Sequence, residues 1–167
     1  MRKWLKHTKN EKGLTLVELL AVVVILGIIA AIAVPSIGGI IDNSKKDAHV
    51  ANAQQMVSSA RLAVTGESNL RNMIDGTQYI PLGYLIKEGY LEAVSDPDGT
   101  DYIIGEDELE TTNVIANAGD NYVTVVKSGN TFSYSVKLGN ATRGIQTESG
   151  AAVSEAALDR DKVIANP

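Results

Sequence analysis

Between Leu14 and Val34 the chain is apolar at every position except Thr15, Glu18 and Gly27. A run of this kind belongs in lipid or among other apolar helices, because no water-facing side remains to it. Continued to Ile41, it covers 28 residues. As a helix that is about 42 Å, against roughly 30 Å of bilayer hydrocarbon. Glu18 stands nearly alone within it, and a carboxylate at the centre of such a helix costs about 2.5–3.5 kcal/mol on insertion scales. An ionisable group at membrane depth is therefore a functional hypothesis that requires a partner. The plainer alternative places Glu18 near the interface, snorkelling to headgroups.

Charge is divided unevenly along the chain. Arg2, Lys3, Lys6, Lys9 and Lys12 stand against Glu11 in the first thirteen residues, a net of +4. Ten basic and nineteen acidic residues follow Gly13, a net of −9, consistent with the −5 of the whole chain. A basic segment ahead of an apolar helix stays cytoplasmic by the positive-inside rule. The acidic remainder argues against non-specific binding to nucleic acid, which depends on Lys and Arg neutralising phosphates. No specific nucleic-acid site is evident. With no cysteine in the sequence, disulfides, thiolate metal centres and thiol catalysis are excluded for this chain alone.

Three zones follow. Residues 1–13 form a basic leader, 14–65 one long helix, and 66–167 an α+β head, with no internal repeat. The helix changes character at Ile41. Residues 14–41 are apolar on every side apart from Thr15, Glu18 and Ser36; residues 42–65 are amphipathic, with Val50, Ala53, Val57, Ala60 and Val64 forming one stripe at steps of three and four. Asp42, Lys45, Lys46 and Asp47 mark the entry into water. Pro35 and the pair Gly38 and Gly39 lie between the halves, and a kink or loosened turn is expected there.

In the head, Pro81–Leu91 reads as a short helix or turn carrying Leu82, Leu85 and Ile86 and ended by Gly89. Asp96-Pro97-Asp98-Gly99 is a turn signal. Phe132, Tyr134, Val136 and Leu138 alternate with polar residues and follow Tyr122–Val126 across Ser128-Gly129-Asn130, which predicts an antiparallel hairpin. Tyr102–Ile104 offers another strand. Ser154–Arg160 reads as a short helix, and Val163 and Ile164 as a strand closing the sheet.

Chemistry-bearing groups are few. Asp96, Asp98 and Asp101 offer oxygens for a calcium ion, but read as an EF-hand loop the sixth position is Asp101 where glycine is needed. A solvated turn is the simpler expectation. Glu106, Asp107, Glu108 and Glu110 read as a solvated face. His49, the only histidine after Gly13, is expected on the surface of the helix. No phosphate-binding glycine loop of the required spacing is present. No cofactor, metal or catalytic set is called for, and an enzyme is not expected.

Gly13-Leu14-Thr15-Leu16-Val17-Glu18, followed by the apolar run and Pro35, resembles the leader and N-terminal helix of type IV pilins and pseudopilins. That resemblance covers about 30 residues closely. It implies cleavage by a prepilin peptidase after Gly13, N-methylation of Leu14, and filament assembly through Leu14 and Glu18. Pro35 falls at the family's proline, twenty-two residues into the mature chain. It also implies a pilin-like α+β fold, in which a long transmembrane or filament-core helix packs on a small antiparallel sheet. Two departures stand out: Leu14 occupies a position where most members have phenylalanine, and the head lacks the cysteine pair of many pilins.

The expected function is that of a pilin, the structural subunit of a type IV pilus-like filament. The precursor would be a single-pass protein of the cytoplasmic membrane and the product a cell-surface homopolymer. Its implied partners are other copies of itself, the prepilin peptidase, a membrane platform protein and an assembly ATPase. The alternatives are a pseudopilin of a type II secretion-like system and a membrane-anchored binding domain that does not polymerise. A secreted hydrolase lacks a catalytic set. Ala31-Ile32-Ala33 resembles a signal-peptidase site, but the apolar run exceeds the usual 7–15 residues and contains Glu18.

Overall fold

The computed structural model describes residues 15–105 and 121–167. Gly13, Leu14 and the acidic run at 106–110 lie outside the described residues. The helix α1 spans Leu16–Gly66, starting where Thr15 caps it and ending at a glycine that favours neither helix nor strand. Between Leu16 and Ile41 only Ala33 is half-buried and every other residue is exposed. This part of α1 is long and apolar enough to cross a membrane. The contacts of the chain divide it into two units, Met1–Ile41 and Asp42–Pro167.

In the second unit the stripe of α1 is buried. Ala53, Met56, Val57, Ala60, Ala63 and Val64 are completely covered, as the spacing of three and four predicts for a helix with one partner face. They share a core with Ile80, Leu85, Val123, Val125, Val136, Leu138 and Ile145. After α1 come a short α2 (Ser68–Met73), the strand β1 (Thr77–Pro81) and α3 (Leu82–Lys87). The strands β2 (Tyr122–Ser128), β3 (Thr131–Gly139), β4 (Arg143–Ile145), β5 (Val153–Ser154) and β6 (Val163–Ala165) follow.

The sheet is antiparallel, in the order β1-β2-β3-β4-β6, with β5 added to β3. The β2–β3 hairpin pairs Val123 with Val136 and Val125 with Tyr134. Its tight turn contains Gly129 at φ 60°, a conformation open to glycine at little cost. Alternation in β3 is the expected one: Tyr134, Val136 and Leu138 face the core while the residues between them are half-covered. The β3–β4 corner requires a bare backbone, because a Cβ on Gly144 would overlap the backbone of Gly139. The result is a pilin-like α+β fold, a long N-terminal helix with a small antiparallel sheet.

Two expectations are corrected. Tyr102–Ile104 forms no strand: the side-chain amide of Asn121 takes the carbonyls of both Ile103 and Gly139 at 2.8 Å, so a side chain holds the segment where a ladder would have done so. Ser154–Arg160 is not one helix either. It breaks into 3-10 turns at Glu155–Ala157 and Arg160–Lys162, because β5 and β6 fix both of its ends and too little chain remains between them.

Candidate functional site

The N-terminal end of α1 carries a reciprocal hydrogen-bonded pair. Thr15 donates through its backbone N–H and its hydroxyl to Glu18 Oε2, both at 2.8 Å, and the Glu18 N–H returns to Thr15 Oγ1 at 3.2 Å. The carbonyl of Thr15 accepts the first helical bond, from Leu19 N–H at 3.0 Å. Thr15 is therefore the N-cap and Glu18 the third helical residue, which is a capping box. Its carboxylate also sits at the positive end of the helix dipole. The spacing Thr-x-x-Glu is present in the sequence, yet there Glu18 reads as a charge answered by a partner or by headgroups, and the capping role of Thr15 goes unseen. Gly13 and Leu14, the expected processing residues, lie outside the described residues. Pro35, Gly38 and Gly39 lie within the continuous helix α1. A side chain added at either glycine would meet nothing within 4 Å, so close packing in the subunit does not explain them.

A second cluster lies where α1 enters the head. His49 is fully buried, which overturns the expectation of a surface histidine. Its Nε2 lies 3.0 Å from Asp98 Oδ2, and its Nδ1 lies 2.8 Å from the Tyr102 hydroxyl. That hydroxyl also accepts a bond from Asn52 at 3.1 Å, so the imidazole bridges Tyr102 and Asp98, with the donor at each nitrogen set by the ring's tautomer. Arg143, on β4, grips Asp98 with Nε and Nη2, each at 2.7 Å, and reaches Asp42 with Nη1 at 2.6 Å. Lys45 adds a longer contact to Asp98 at 3.6 Å.

Asp96 is buried as well, and burial by itself would push its carboxyl up. The Asp98 backbone N–H, Thr100 and Asn140 donate to it and outweigh burial, holding it below the usual carboxylate range. The Arg143 guanidinium, joined by His49, holds Asp98 far below that range against the cost of its burial. The turn at Asp96–Gly99 forms as expected, but its carboxylates are not solvated.

His49, Asp96 and Asp98 each offer an atom within 4.8 Å of the others, a donor set with a place for a metal ion; Asp101 is not part of it. The chemistry argues for a different occupant. Both oxygens of Asp98 already bind a guanidinium in a fork, and Asn140 and Thr100 saturate one oxygen of Asp96. A cation would have to displace Arg143, whose positive charge serves the same purpose. The calcium alternative raised from Asp96, Asp98 and Asp101 gains no support from this geometry.

The family model for the prokaryotic N-terminal methylation motif matches residues 8–34. Type II secretion system core protein G of Escherichia coli (strain K12) is 26% identical over 109 residues, covering 60% of this chain and 75% of the relative. No solved structure gives a significant match.

Proposed function

We propose that this chain, a protein of the type IV pilin and pseudopilin family, is a filament subunit that is cut after Gly13 and assembles through α1. The observation that carries the reading is the pairing of an unburied apolar helix with a carboxylate fixed at its first turn. The bonds from Thr15 hold Glu18 back over the start of the helix. Both of them end on Oε2, and Oε1 faces no partner among those bonds. A freed α-ammonium on Leu14 of a neighbouring copy is the cation that this carboxylate would accept, and the contact would set the stagger between adjacent helices. Before assembly the apolar half of α1 holds the precursor in the cytoplasmic membrane, with the head outside. Afterwards it exchanges lipid for neighbouring helices. Cleavage removes five basic residues whose burial in a helix bundle would be prohibitive.

The role is structural and not enzymatic. The peptidase, a platform protein and an ATPase are the partners implied by this plan, since no nucleotide-binding loop is found in the chain. The test is the intact mass and N-terminal sequence of material sheared from cells. A start at Leu14 supports the reading, with or without a methyl group. A start at Val34, or a product retaining the leader, defeats it.

The similarity to a type II secretion core protein favours a second reading, a pseudopilin whose short fibre serves protein export. Deletion separates the two. Loss of surface filaments with normal export supports the pilus; loss of export without loss of surface filaments supports the pseudopilin.

A further inference from the structure

We propose that Arg143 is a positioning residue that sets where fixed helix begins, so that α1 can loosen between Pro35 and Ile41 but holds from Asp42 onward. The first ground is local. Pro35 has no N–H to give the carbonyl one turn back, and Gly38 and Gly39 weaken the next turn. None of the side chains from Val34 to Ile41 is buried, so within the subunit nothing offsets these weak positions. Helices without tertiary packing depend on their own propensities, which here are poor.

The second ground is the hub that begins at the next residue. Arg143 binds Asp42, Asp98 binds His49, and Lys45 reaches Asp98. One face of α1 is thus held at residues 42, 45 and 49, two turns in succession. A carboxylate as exposed as Asp42, at 47%, gains little from a free surface partner. This guanidinium is not free, however. It is forked onto Asp98, which is only 13% exposed, and the backbone N–H of Arg143 donates to Asn140 Oδ1 at 2.9 Å. Asp42 therefore meets a partner whose position is already fixed, and little further ordering is needed. Two other long-range pairs on α1 among the described residues, Asp47 with Arg160 and Arg61 with Glu155, have no fork onto a covered carboxylate behind them; all four side chains are at least 40% exposed. A subunit that must sit first in lipid and later among helices gains a defined place to yield, without strain on its sheet.

The test is amide exchange on the full chain in detergent micelles. Cα chemical shifts, which report helix whether or not the micelle shields an amide, are measured alongside. In the wild type, residues 36–41 should show reduced helical shifts and exchange at least about tenfold faster than 43–49. Arg143→Gln should raise exchange across 43–49 about tenfold, with β2 and β3 still protected. Arg160→Gln should leave the boundary at Asp42. Uniform helix through 35–49 in the wild type overturns the proposal, as does an unmoved boundary in Arg143→Gln. If that variant loses sheet protection, Asp42→Asn replaces it. A boundary displaced toward Lys45 supports the proposal, and an unchanged one overturns it.

Discussion

Thr15 and Glu18 bond each other in both directions across the first turn of α1, at 2.8 Å into the carboxylate and 3.2 Å back into the hydroxyl. The backbone donor in this pair is the amide between Leu14 and Thr15, so a cut after Gly13 would leave the box whole. The carboxylate thereby has two separable roles, one as a cap for its own helix and one as a charge for a neighbour.

Thr15→Val removes the hydroxyl and keeps the shape. It should cost the helix start about 1 kcal/mol and leave Glu18 held only by the backbone N–H of residue 15, less firmly directed. Processing and membrane insertion should continue, while the filament yield in sheared fractions falls several-fold. Thr15→Ser should restore it. A Val variant that assembles normally would deny the box any part in assembly.

Glu18→Gln separates the two roles, since glutamine at this position still closes a capping box but carries no charge. If the charge is what assembly needs, the variant will be made, inserted and cleaved, yet yield no filament. Normal polymerisation of Glu18→Gln would leave capping as the whole purpose of the residue.

The corner at Gly139 and Gly144 makes a stability prediction independent of assembly. Alanine at Gly144 places a methyl group inside the opposing backbone, and flexible side chains cannot move aside to admit it. A loss of about 3 kcal/mol or more is expected, in the range of severe overpacking. All six tyrosines lie in the head and the one tryptophan, Trp4, precedes Gly13, so near-UV circular dichroism of the chain starting at Leu14, in detergent, follows this unit. Its melting point should fall by about 10 °C.

What was legible in the sequence had a period. The stripe from Val50 to Val64 and the alternation of Phe132 to Leu138 repeat at a helical and a strand interval, and both formed as read; the apolar run was legible from its uniformity instead. His49 lies four residues before Ala53 and so belongs to the same stripe; the sign of its burial was present, but a polar residue type concealed it. The contacts that bury it were not legible. Arg143 finds Asp42 and Asp98 across 101 and 45 residues, and no local pattern announces a pair at that distance. Nor did three residues of β4 offer enough alternation to mark a strand.

That same buried hub fixes the acid response of the head. Asp98 is held below the ordinary carboxylate range by Arg143, and Asp96 by its donors. A carboxyl whose folded value is depressed binds its proton more readily when unfolded. Its stabilisation is complete above the unfolded value of about 3.9 and is lost as pH falls through the window below it. The wild-type melting point should therefore hold from neutrality to about pH 5 and then drop steeply toward pH 2.5. Asp98→Asn leaves Arg143 and the buried His49 facing a neutral amide, and removing one partner of a largely buried, hydrogen-bonded pair costs about 3 kcal/mol. At pH 7 its melting point should lie about 10 °C below wild type. Below pH 4 the two curves should converge, because the wild type is then losing the interaction that the variant never had. Parallel curves across this range would mean that Asp98 is not the carboxylate responsible, and Asp96→Asn would be the next variant to melt.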